Sequence, residues 1–141
     1  MRKKSLLVLF VAGAVFMSSS GVIAHHAEAD YDLNTVYVMK GTVTRFDFVN
    51  PHLVVRYTVQ KSGGEQEEWV SHGGSPNHER RSGWTANTIK PGDKVAVTGF
   101  RQIEGRNILQ MAIIEVNGKV YERREGSAFR RYMEFKPEFP F

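Results

Sequence analysis

The segment Glu68–Asp93, EWVSHGGSPNHERRSGWTANTIKPGD, decides how the rest of the chain folds. It is entered on a strand-like run, Glu67–Ser71, and breaks at Gly73-Gly74-Ser75-Pro76. Asn77–Ser82 is long enough for about two helical turns. Ser75 is placed to cap such a helix, Pro76 suits its first turn and Gly83 suits its end. The segment leaves through Lys90-Pro91-Gly92-Asp93, where a central Pro-Gly pair fits a type II turn. The chain reads as β-strand on both sides, so this segment predicts one short helical crossover between two β-rich halves.

Upstream, Val36–Val49 is a long strand rich in Val, Thr, Tyr and Phe. Its apolar positions are odd at Tyr37, Met39 and Val43 and even at Phe46 and Phe48. A bulge near Thr44-Arg45 explains the switch, and Gly41 lets the strand bend. After the Asn50-Pro51 turn, Leu53, Val55, Tyr57 and Val59 alternate with Val54, Arg56, Thr58 and Gln60. Lys61–Gly64 is a hairpin loop into Glu65–His72. Downstream, Lys94–Arg101 and the nearly continuous apolar run Asn107–Val116 are strands. Asn117-Gly118 is a type I′ hairpin signal before Lys119–Glu122. Leu53, Val55, Tyr57 and Val59 are expected to share a core with Val95, Val97, Leu109, Met111 and Ile113. The pattern predicts an all-β fold with small α content: a five- to six-stranded Greek-key OB-like barrel, with one short helix between strands 3 and 4. A six-stranded sandwich is the competing arrangement.

The two ends differ from this middle. Arg2, Lys3 and Lys4 precede the apolar run Leu6–Met17, which is too short to span a bilayer comfortably, and Val22-Ile23-Ala24 follows. This is the pattern of a signal peptide cleaved after Ala24, with Ala27-Glu28-Ala29 as the rival site. The expected division is a signal peptide over 1–24, a barrel domain over 25–122 and an aromatic, basic tail over 123–141. His25–Asn34 reads as an extended arm. The protein is then periplasmic or secreted, with no transmembrane segment after cleavage. Of nineteen Lys and Arg, three fall in the signal, so the mature chain holds sixteen against fifteen Asp and Glu, a net of +1. That balance argues against a nucleic-acid partner, which needs a basic face. The chain has no cysteine, so an exported form relies on its β core rather than on disulfides.

Six landmarks follow in order: Ala24-His25-His26, Lys40-Gly41-Thr42-Val43, Asn50-Pro51-His52, Gly74-Ser75-Pro76-Asn77, Gly83-Trp84 and Lys90-Pro91-Gly92-Asp93. With them, Ala24–Lys119 resembles a widespread family of exported bacterial proteins known only as a domain of unknown function. The resemblance implies a secreted, barrel-like domain and brings no established activity. The chain departs from the family in having polar His78-Glu79-Arg80-Arg81 where apolar helix residues are usual, and in its longer aromatic tail.

Cleavage after Ala24 makes His25 the first residue, and a terminal histidine offers its α-amine and its ring in one chelate. A further imidazole completes a T-shaped N₃ set of the histidine-brace kind, a geometry that suits Cu(II). His52, aimed by the Asn50-Pro51 turn, is the first candidate for that partner and His72 the second. His26 offers a separate chelate with the amine and its own amide. The bland alternative makes His25-His26 ordinary polar residues of an arm and His72 an edge histidine. A competing function is an accessory module that binds an envelope protein or small ligand. It would use Asn77 and Trp84 of the crossover, with Phe129 and Tyr132 of the tail, which share a face at helical spacing with Met133. The tail's other reading is a segment folded back over the barrel. Catalysis has little support: Ser71-His72 and Glu67-Glu68 are strand neighbours whose side chains diverge, and a copper-dependent oxidase or oxygenase is the only concrete form. No zinc motif is present.

Overall fold

The computed structural model describes residues 30–123 and 126–135. The elements are β1 (Tyr31–Asp47), β2 (Val54–Gln60), β3 (Gln66–His72), α1 (Pro76–Glu79), a 3₁₀ turn (Arg80–Ser82), β4 (Lys94–Gln102), β5 (Ile108–Val116), β6 (Lys119–Glu122) and α2 (Ser127–Phe135). The strands run in the order β3-β2-β1-β4-β5-β6. A short parallel pairing of β3 with β5, from Val70↔Ile108 to His72↔Gln110, closes the ring. The start of β5 is thus bonded to β3, while its later half carries β6 in the antiparallel register Ile113↔Glu122 to Val116↔Lys119. This is the small OB-like barrel that the strand pattern predicts, with the helical crossover between β3 and β4.

The crossover is built from the expected signals. Ser75 caps α1 by accepting the Asn77 N–H, Pro76 opens the helix, and Gly83 ends the 3₁₀ turn at a left-handed φ of 86°. The exit turn closes with a 3.1 Å bond from Asp93 N–H to the Lys90 carbonyl. Beyond it, Trp84 and Ile89 dip into the core, with Trp84 packed on Phe46 and Tyr121. The crossover therefore plugs one mouth of the barrel.

β1 serves two neighbours, β4 along most of its length and β2 at its end. The register slips between Val43 and Arg45, the expected bulge. At Gly41 a side chain would run into the Thr58 carbonyl and the Tyr57 ring, so only glycine lets β2 lie this close. Two expectations need correction. The arm was expected to run through Asn34, but Tyr31–Asn34 belong to β1, because Tyr31 and Leu33 pack into a second apolar cluster. Ile113 was expected in the barrel core, but it faces outward. The β4–β5 register slips opposite Ala112, so Met111 and Ile114 point inward and Ile113 joins the second cluster.

That second cluster lies on the outer surface. Phe100, Ala112 and Ile113 are covered by Ala128 and Tyr132 of α2, with Phe129 and Phe135 at its margin. The helix part of the tail is therefore folded over the barrel. Gly126, at a left-handed φ of 102°, stands ahead of its first turn, and its carbonyl accepts the Arg130 N–H. Among the described residues no helix is long and apolar enough to cross a membrane.

Candidate functional site

Leu53, Val55 and Tyr57 point into the core, so Val54 and Arg56 between them point out. On β3, Trp69 and Ser71 point in and Val70 and His72 point out. The pairings Val54↔His72 and Arg56↔Val70 place His72 diagonally across from Arg56 on the outer face. The ladder continues beyond both strands, with Leu53 N–H bonded to the Gly74 carbonyl and Gly73 N–H to the Leu53 carbonyl, each at 2.9 Å. This fixes His52 at the same end of the same face. His52 is exposed and His72 half-buried.

Burial holds the His72 imidazole below its ordinary pKa, and the nearby His52 and Arg56 push it further down. His72 therefore keeps a free ring lone pair at neutral pH. Arg56 is the residue that sequence reasoning missed, because it read only as an alternate polar position of a strand. Among the described residues no group of three or more His, Cys, Asp or Glu side chains meets the spacing of a metal site. The barrel thus offers two imidazoles, and further donors must come from elsewhere. His25 and His26 lie outside the described residues.

The crossover side of this end carries the polar run His78-Glu79-Arg80-Arg81. His78 and Asn77 are exposed, and Asn77 Oδ1 accepts from Arg80 at 3.1 Å. Glu79 is instead 4% exposed. Its carboxylate lies 3.5 Å from Nε of Arg123, whose Nη1 donates to the Met111 carbonyl at 3.3 Å. A side chain at Gly74 would land on both members of this pair, which is why glycine stands there. The pair ties α1 to the segment leaving β6.

Two of the residues expected on a ligand or partner surface are not on the surface. Trp84 is 1% exposed because it completes the core, and Tyr132 is fully buried because α2 lies on its own barrel. Phe129 is partly buried in the same cluster, and Asn77 alone of the four is exposed.

No curated protein matches this sequence. A family model matches residues 14–111, from ahead of β1 to Met111 in β5, and stops short of β6 and α2. The match spans all five histidines and most of the barrel. The chain belongs to the family of unknown function DUF6152.

Proposed function

We propose that this is an exported copper-binding protein, in which His25 at the processed terminus supplies its amine and ring and the barrel supplies His52 or His72. The observation that supports this reading is the meeting of His52 and His72 on one open face. Each is a candidate ligand on separate sequence grounds, and the β2–β3 register brings them to one place. Neutral imidazole nitrogens without carboxylates are the donor set that copper takes readily. Two imidazoles make an incomplete set, and a terminal histidine adds the two nitrogens that complete it. Arg56 works against any dication here, so affinity rests on the nitrogen donors rather than on net charge. The same site serves binding or handling of the metal.

The alternative, an interaction module built on the crossover and tail, has less exposed surface to work with, since Trp84 and Tyr132 are buried.

The test titrates Cu(II) into the mature protein beginning at His25, the same protein with one residue added before His25, and His52→Ala and His72→Ala forms. Mass spectrometry of the native N-terminus accompanies it. The extension and at least one of the two alanine variants are expected to weaken binding by tenfold or more. Equal and weak binding by all forms would remove the copper reading and leave the interaction module. Tight binding that survives both alanine variants and the extension would move the site to the amino-terminal arm, with His26 as its ring donor.

A further inference from the structure

On the outer face, β3 and β5 pair in parallel with His72 directly beside Gln110. Gln110 also faces Phe100 of β4, whose ring has no hydrogen to donate. The Gln110 amide oxygen, Oε1, is buried and has no hydrogen-bond partner. A buried carbonyl oxygen left unpaired costs free energy, and native interiors rarely leave one so. The nearby guanidinium of Arg123 donates from Nη1 to the Met111 carbonyl, and its Nε lies 3.5 Å from the Glu79 carboxylate in an ion pair. On the paired strands, the register sets the imidazole of His72 directly beside Gln110.

We infer that Gln110 is the positioning residue for His72: its Oε1 accepts one imidazole N–H, which fixes the tautomer and turns the other ring nitrogen outward. A neutral imidazole carries one N–H and one lone pair, so committing the N–H to Gln110 commits the lone pair to the face shared with His52. This is the arrangement in which ligating histidines are usually held, with the second nitrogen bonded to a carbonyl or carboxylate oxygen. The inference on copper affinity rests on the proposed function; the inference on the tautomer does not.

The experiment therefore has two readouts. Long-range ¹H–¹⁵N NMR of the metal-free protein at pH 7.5 reports the His72 tautomer, and Cu(II) titration reports affinity. Wild-type protein is expected to show a single His72 tautomer, Gln110→Leu a mixture of both, and Gln110→Glu the single form again, because its carboxylate can still accept. Cu(II) affinity should fall roughly 10- to 100-fold in Gln110→Leu and stay within a few-fold of wild type in Gln110→Glu. Thermal melts of the two variants serve as the folding control. A mixed tautomer in wild type, or one unchanged by Gln110→Leu, overturns the inference. A fixed, Gln110-dependent tautomer in a protein that binds no copper upholds the pairing and overturns the metal reading instead.

Discussion

The barrel has two contrasting outer faces. The β4–β5 side presents Phe100, Ala112 and Ile113, and α2 covers them. The β2–β3 side presents Val54, Arg56, Val70 and His72, with His52 at its end; these are half-buried to exposed, and α2 packs on β5, β1 and β4 rather than here. The difference follows from composition. An apolar outer face must be covered, and the chain supplies an amphipathic helix to do so. A polar outer face with two imidazoles can stay in solvent, so it is the one left free to bind. The family match, which ends at Met111, takes in the open face and omits the covering helix.

The contrast between the two faces depends most on the Glu79–Arg123 pair, which anchors the chain on its way from the barrel to α2. Both side chains are nearly buried, at 5% and 12% exposure. Removing one partner strands the other charge, at a cost of about 3–5 kcal/mol, a large part of the stability of a small domain. Glu79→Ala and Arg123→Ala should each lower urea-unfolding stability by about that amount. A Glu79→Leu, Arg123→Met double variant should recover most of it. Additive losses in the double variant would mean that the two charges are not coupled.

The helix itself comes next. Truncation after Arg123 partly uncovers Phe100 and Ile113; full exposure would cost ~1.5–3 kcal/mol for each, so partial exposure should cost roughly 2–4 kcal/mol. The shortened protein should still fold and, on the proposed reading, bind Cu(II) as the parent does. A truncated form that melts like the parent would show that α2 is not a cover. One that folds but loses copper would join the two faces into a single site.

How far the sequence reveals this arrangement depends on the face. β2 is legible because its inward residues alternate with polar ones, and the crossover is legible because Ser75, Pro76 and Gly83 act locally. β5 is not, since both its faces are buried and a slip at Ala112 sends Ile113 outward without any mark in the apolar run. The Glu79–Arg123 pair is illegible for another reason: its members are far apart in the chain, and each alone reads as a surface charge. His52 and His72 stand out as candidates, but their meeting depends on strand register, as does the presence of Arg56 and Gln110 beside them.

A smaller effect sharpens the open face. Arg56 is a cation beside the proposed metal site, so Arg56→Gln should strengthen Cu(II) binding by roughly 2–5-fold, the range of an exposed charge interaction. The gain should shrink as salt is added, because screening removes what the charge contributes. Weaker binding in Arg56→Gln would instead make the guanidinium part of the ligand's anchorage, as for an anion bound with or without the metal.

The smallest expected effect is on the stability of the metal-free protein as pH changes. Burial, His52 and Arg56 all hold the folded-state pKa of His72 below its ordinary value of 6.5. Above that value the ring is neutral in both states and contributes no slope. As pH falls below it, the unfolded chain takes up a proton before the folded chain does. Stability therefore declines until the folded-state pKa is passed, and then levels off. His72→Gln removes this proton, so its melting temperature should fall less than wild type as pH drops from about 6.5 towards 5. Arg56→Gln should lie between the two, since it relieves one cause of the shift and leaves the burial. Among the described residues the helix-covered face holds no histidine, so truncating α2 should lower the whole curve without changing its slope in this window. If wild type and His72→Gln run parallel from pH 7.5 to 5, His72 is as well solvated as a free imidazole, and the face it sits on is looser than the strand register describes.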